Sequence, residues 1–254
     1  MKKYRPKWLA IWLRNFRVWR KLIIESLLGN FADPLIYLIA LGFGLGKYVG
    51  TLDGLPYLVF LASGIVCSSA MNAATFEGLY SAYTRMTGQK TWDSMLATPL
   101  NVSDIVLGET LWAGTKGLIN ATAILIVAAL LHLVYSWYAL LVLPVVFIMA
   151  VCFGAFALTM TAFAKSYDFF TYYFTLFISP MMLLSGVFFP LTKMPAFVKV
   201  LAHLSPLYYA IELIRPLMTN RALQYPLINL CVIIIFTFIA YTIAVKLMQK
   251  RIIN

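Results

Sequence analysis

Charge is scarce in this sequence, and histidine and cysteine are scarcer. Of 254 residues only 11% are charged, with nine acids, two histidines and three cysteines, where soluble domains carry about a quarter charged residues. Nine acids and twenty bases cannot cover the exterior that a soluble chain of this length still exposes, which excludes an ordinary soluble enzyme. Cys67, Cys152 and Cys231 stand far apart, with no C-x-x-C spacing and no histidine nearby. They read as packing residues, and no metal set is expected. Nucleotide motifs are missing too. Gly42-x-Gly44-x-Gly46-Lys47 lacks the glycine a phosphate loop needs where Leu41 stands, and the Ser or Thr it needs where Tyr48 stands. The net charge of +11 does not indicate nucleic acid, because a nucleic-acid binder gathers its bases on one solvated face. Here they gather at the ends of apolar runs.

Those runs are what the sequence has in abundance, since 62% of it is hydrophobic. A helix crossing a bilayer needs about 20 mostly apolar residues. Six stretches qualify: 26–46, 55–75, 105–133, 139–164, 169–189 and 226–245. The third contains Glu109 and Lys116. A seventh stretch, 197–218, holds Lys199, His203, Pro206, Glu212, Arg215 and Pro216 and fails, because one central charge costs about 3 kcal/mol on insertion. The distribution of bases agrees with an even count. With both termini inside, the basic N-terminal segment, Arg85, Lys90, Lys165 and the tail lie in the cytoplasm, leaving Lys47, Lys193, Lys199, Arg215 and Arg221 outside.

The first 24 residues are not a signal peptide, because bases and aromatics alternate there. On a helical wheel Trp8, Leu9, Trp12, Phe16 and Trp19 share one face and Lys7, Arg14, Arg17 and Lys21 the other. This is the pattern of a helix lying in the cytoplasmic membrane interface.

Two connections are long enough to act. In the cytoplasmic one, about 77–104, Thr91 or Asp93 caps a short helix through Ala97, which Thr98-Pro99 stops. Trp92, Met95 and Leu96 share a face of that helix. An apolar face on a short helix here is a docking element for another protein, or else an interfacial helix resting on lipid. The external connection, 190–225, is divided by Pro190, Pro195, Pro206 and Pro216 into short pieces, of which 197–204 and 207–215 are helical candidates. It reads as a hairpin that dips into the outer leaflet under cover of neighbouring helices. Charges within spans are functional candidates by default. Asp33 lies in the first span, and Glu109 and Lys116, seven apart, share one face of the third. The alternative is that the glutamates sit near the headgroups and only Asp33 and Lys116 lie deep.

The arrangement resembles the ABC-2 type permeases, and the local sequence is similar to their lipo-oligosaccharide, or nodulation-factor, export subfamily. The similarity rests on Trp92 to Leu100 (WDSMLATPL), Asp104 to Glu109 (DIVLGE), Ser166-Tyr167-Asp168, Leu184 to Pro190 (LSGVFFP) with Met194-Pro195, Leu204 to Leu207 (LSPL) and Ile211 to Pro216 (IELIRP). The resemblance implies a single all-α integral membrane domain over 1–254, in the bacterial inner membrane. Its parts would be an interfacial amphipathic helix at 1–24, spans 1–5 within 26–189, an external re-entrant hairpin at 190–225, and span 6 with a cytoplasmic tail at 226–254. It implies a homodimer working with two copies of an ABC ATPase subunit, which would bind the ATP and magnesium; the permease itself would be no enzyme. The coupling helix would fall on 91–97, with Thr91, Trp92, Asp93, Met95, Leu96 and Ala97 as coupling residues. The implied cargo is an amphiphilic lipo-oligosaccharide, glycan or lipid moved outward. A groove along the first, second and fifth helices would carry it. Tyr167, Phe170 and Tyr173, in the densest aromatic run, are path candidates beside Asp33, Glu109 and Lys116, and Glu212 and Arg215 are candidates for the external gate. Aromatic faces stack on sugars, although they also belt membrane proteins in general.

Two other classes stand against this reading. An ion-coupled secondary transporter would show internal repeats and broken helices with midplane ligands, and neither is visible. An integral lipid-modifying enzyme would need a polar cluster at one face, for which His203, Ser205, Glu212 and Arg215 are the sole candidates, without a carboxylate pair.

Overall fold

A computed structural model of the chain describes residues 6–253, apart from the side chains of residues 25, 27–31, 33 and 253. Two helices open the chain: α1 (Lys7–Lys21) and α2 (Ile23–Gly44), followed by the single turn α3 (Gly46–Val49). A two-residue hairpin, β1 (Thr51–Leu52) against β2 (Leu55–Pro56), turns through Asp53 and Gly54 at φ 50° and 70°, the geometry that favours an Asp-Gly pair.

The next helix, α4 (Tyr57–Phe76), was expected to end near residue 75. It runs on through two π-helical turns, Glu77–Ser81 and Thr84–Gly88, so that helix covers 32 residues from Tyr57 to Gly88. At 1.5 Å per residue this is about 45 Å, against a hydrocarbon core of about 30 Å. Much of the expected cytoplasmic loop is thus a helical extension beyond the apolar layer. Wide π turns leave carbonyls without their usual donors. One of them, Gly78 O, accepts from Thr161 Oγ1 at 2.8 Å.

The short α5 (Thr91–Leu96) starts from Lys90 in the left-handed region (φ 49°) and has no side-chain cap, so neither Thr91 nor Asp93 starts it as expected. Then come α6 (Val102–Leu130) and, after a 3-10 turn at Trp137–Leu141, α7 (Val142–Phe163). The start of α6 is fixed by the Asn101 N–H, which donates to the Asp104 carboxylate at 3.0 Å, half of a capping box. In the following apolar stretch α8 (Asp168–Tyr173), a π turn (Phe174–Ile178) and α9 (Ser179–Leu184) are continuous, while α10 (Ala196–His203) and α11 (Pro206–Thr219) are separate. The last helix is α12 (Pro226–Ile253).

Among the described residues, four helical stretches can cross a membrane by length and composition: Tyr57–Gly88, Val102–Leu130, Trp137–Phe163 and Pro226–Ile252. The pair α10 and α11, bent by 92°, makes a fifth only if taken as one span. Two of the six expected spans are less plain. The first coincides with α2, which has Pro34 inside. The fifth is a shorter apolar helix, Asp168–Leu184.

Burial places α4 at the centre, with its first two thirds almost wholly enclosed. Small residues permit this. A Cβ on Gly64 would lie 2.5 Å from the Val187 carbonyl oxygen, so glycine there lets the 185–189 turn rest on α4. Gly108 of α6 does the same for α1, since a Cβ would meet Ile11 Cβ at 2.7 Å and Trp8 O at 2.9 Å. Such approaches give helix packing in lipid its van der Waals contact.

The apolar face of α1, expected to meet lipid, packs in part on the chain itself. Ile11 and Asn15 are buried, Trp12 Nε1 donates to Thr115 Oγ1 at 2.9 Å, and Trp12, Phe16 and Trp19 ring Trp112 at 6.1–6.3 Å. The expected lipid-facing indoles are in part helix-packing residues.

Candidate functional site

Three polar assemblies interrupt the apolar body. The first lies where α1, the π-helical end of α4 and α6 meet. Arg85 pairs with Glu77 at 2.9 Å and with Glu109 at 2.5 Å, and its Nε also donates to Glu109 Oε1 at 3.1 Å. Both carboxylates are nearly excluded from solvent, and each has a further donor: Asn15 Nδ2 to Glu109 at 3.0 Å and Trp112 Nε1 to Glu77 at 2.9 Å. Buried ion pairs hold only when further hydrogen bonds satisfy their remaining lone pairs, and Asn15 and Trp112 each supply one. Although Glu109 and Lys116 share a face of α6, the ion-pair partner of Glu109 is Arg85. Lys116 instead donates to the Ser26 hydroxyl and sits 5.7 Å from the Trp19 ring centroid.

This knot is joined to α5. Arg14, on α1, donates to Asn15 Oδ1 at 3.1 Å and to Thr91 Oγ1 at 3.4 Å; burial and the nearby Arg85 charge hold its pKa below the ordinary value. On α5 itself the apolar face turns inward. Trp92 and Met95 are buried, Thr91 and Leu96 are half-buried, and Asp93, Ser94 and Ala97 are exposed. The expected apolar docking face is therefore spent on the chain's own core, and the surface α5 offers is small and polar. The Trp92 indole N–H has no partner among the described residues.

The second assembly is a groove between α2, α4, α6 and the Asp168–Leu184 stretch, with a volume of about 470 Å³. Polar and apolar groups are mixed in its lining: α4 and α6 bring Ser68, Ser69, Asn72 and Asn120, α4 also brings Ile65 and Phe76, and the Asp168–Leu184 stretch brings Phe174, Ile178 and Met182. Tyr167, Phe170 and Tyr173 do not line it. Phe170 is fully buried, packed edge-on against Tyr80 and Tyr83 at 5.1 and 5.3 Å. Tyr173 is also buried and stacks on Phe177, and Tyr167 shares a 2.8 Å hydrogen bond with Thr84. These aromatics clamp the two π-helical regions together beside the groove. The side chain of Asp33 lies outside the described residues.

The third assembly is at the opposite end from α5. The Arg215 guanidinium, from α11, lies 3.7 Å over the Phe60 ring. It donates to Ser63 Oγ at 3.0 Å and to Gly186 O at 2.7 Å. Gly186 has φ 88°, where a side chain would be strained. Ser185 Oγ donates to Ser205 Oγ at 3.0 Å. One arginine thus ties α4, the 185–189 turn and α11 together. Glu212, a turn earlier and half-buried, makes no ion pair with it among the described residues.

The Arg85 ion pairs, the polar groups of the groove and the Phe60-Ser63-Gly186 contacts were not anticipated. Arg85 and Glu77 are eight apart, within one broad helical face, but the stretch that holds them was read as a loop.

Residues 6–219 match the family model described as ABC-2 type transporter. The chain is 43% identical to Nodulation protein J of Sinorhizobium fredii, over 97% of this chain and 94% of that protein. It is 44% identical to Nodulation protein J of Rhizobium leguminosarum bv. viciae, over 97% and 95%. Against the Inner membrane transport permease YadH of Escherichia coli the identity is 26%, over 81% of each.

Proposed function

The chain belongs to the ABC-2 type transporter family and is an integral membrane transport permease, and we propose that it is the membrane subunit of an ATP-driven exporter of an amphiphilic glycan or lipid. In this reading it crosses the bacterial inner membrane six times with both termini in the cytoplasm. α2 and the Asp168–Leu184 stretch are the first and fifth spans, and α10 and α11 form a re-entrant hairpin on the outer side. It works as a homodimer with two copies of an ATPase subunit, which holds the nucleotide and its magnesium. The local resemblance to nodulation-factor export permeases, together with relatives named Nodulation protein J over 97% of the chain, supports a lipo-oligosaccharide as the first cargo to try.

The observation that carries the cargo class is the mixed lining of the groove. Serine and asparagine set among phenylalanine, isoleucine and methionine suit a molecule with both hydroxyls and hydrocarbon, and apolar pockets with a few placed polar groups are the usual binding form. ATP-driven motion would reach the groove through α5, whose exposed Asp93, Ser94 and Ala97 meet the ATPase. Arg14 and the Arg85 knot would transmit it, and Arg215 would hold the far end closed between cycles. The test is uptake of a fluorescent lipo-oligosaccharide into inside-out vesicles holding this chain and its ATPase. ATP-dependent uptake that Asn72→Phe abolishes is expected; uptake unaffected by filling the groove refutes the path.

A further inference from the structure

A second cavity, of about 360 Å³, lies between α1, the α1–α2 junction, the π-helical end of α4 and the middle of α6. Neither the groove nor the surface of α5 uses it. Three cations line it, Arg14, Arg85 and Lys116, against a single lining carboxylate, Glu77. Arg85 is taken up by Glu77 and by Glu109 behind it, and these are the only ion pairs among the described residues. The described hydrogen-bond and ring partners of Arg14 and Lys116 are neutral: Asn15 and Thr91 for one, Ser26 and the Trp19 ring for the other. Glu109 and Glu77 also act on them through space, but two carboxylates against three cations leave one positive charge uncompensated around this space. Cations withdrawn from water are costly unless a counter-charge comes, and the cavity is where one can come.

The outer wall indicates what carries the charge. Val18 and Leu22 are 52% and 53% exposed, and Leu22 leaves helical geometry (φ −119°, ψ 30°) between α1 and α2. An acyl chain can lie along this apolar edge while its head enters beside Lys116. The volume suits a head group better than a whole lipid. We propose that this cavity binds the anionic head group of a membrane amphiphile, one bearing a phosphate, sulfate or carboxylate, through Arg14 and Lys116. The site needs only that α1 lies at the membrane surface, so it stands apart from the transport reading: failure to find an ATPase partner would leave it intact. The amphiphile is either a resident phospholipid or cargo awaiting transport.

Native mass spectrometry of the full chain, released from phosphatidylcholine nanodiscs carrying increasing phosphatidylglycerol, tests this. Tight binding of one phosphatidylglycerol is expected. Arg14→Gln and Lys116→Gln should each weaken it about tenfold, as loss of one charge-assisted hydrogen bond implies, while Lys199→Gln should not. If Lys116→Gln fails to fold, Arg14→Gln on the peripheral helix carries the test. Equal retention of phosphatidylcholine, or a preference that survives both substitutions, would overturn the proposal. So would displacement by inorganic phosphate at equal affinity, because the acyl chain would then play no part. In the complex with the ATPase, release of the bound lipid during ATP turnover identifies a transport intermediate and retention identifies a resident lipid. Either result supports the site.

Discussion

Arg85 shows most clearly how much can rest on one side chain. It pairs with two carboxylates drawn from different helices, and removing one partner of a buried pair costs about 3–5 kcal/mol because the others stay buried and unpaired. Arg85→Met is therefore expected to lower the thermal unfolding midpoint sharply, and Glu77→Gln less so, because Glu109 still holds the arginine. Unfolding curves in detergent check both, and equal midpoints would show the knot to be solvated. Arg215 belongs to the same scale with a different chemistry. It stacks on Phe60 and donates to two oxygens at once, a combination that lysine cannot reproduce. Arg215→Lys should insert and assemble normally but lose most transport in the vesicle assay; wild-type uptake would remove Arg215 from the gate.

At the scale of elements, α5 separates burial from contact. Trp92 is enclosed, so Trp92→Ala should cost about 3–5 kcal/mol of stability. Trp92→Phe should cost little, since the lost N–H has no described partner. Asp93→Arg, on the exposed side, should leave the melting curve unchanged and reduce co-purification of the ATPase. If Trp92→Phe abolished co-purification while Asp93→Arg did not, the inward orientation of α5 would be wrong. The sequence made α5 legible as a helix, because Pro99 and the Trp92, Met95, Leu96 spacing mark one. Which way it faces was not legible, because an apolar stripe reads the same toward the chain's own core as toward a partner. The extension of α4 to Gly88 was hidden for another reason. Polar residues after Phe76 look like a loop when the only period tested is 3.6, and π turns such as Glu77–Ser81 shift every side chain out of that register. Long apolar helices such as α7 and α12 were read directly, since composition alone specifies them.

For the whole molecule, the proposed path runs between two ends to which this reading gives opposite tasks. The end at α5 carries the Arg85 knot, Arg14 and the cationic cavity, and the other end carries the Arg215 tie. The groove lies between them along α4, the helix both ends hold. The central claim is that the chain is a permease moved by an ATPase, and purification of the tagged full chain from its native membrane tests it most directly. Mass spectrometry of the complex, under conditions that preserve known membrane assemblies, should find two copies of this chain with two copies of one ATP-binding subunit. A chain that purifies homogeneously under those conditions, with no ATP-binding subunit and no ATP-dependent transport on reconstitution, would contradict it.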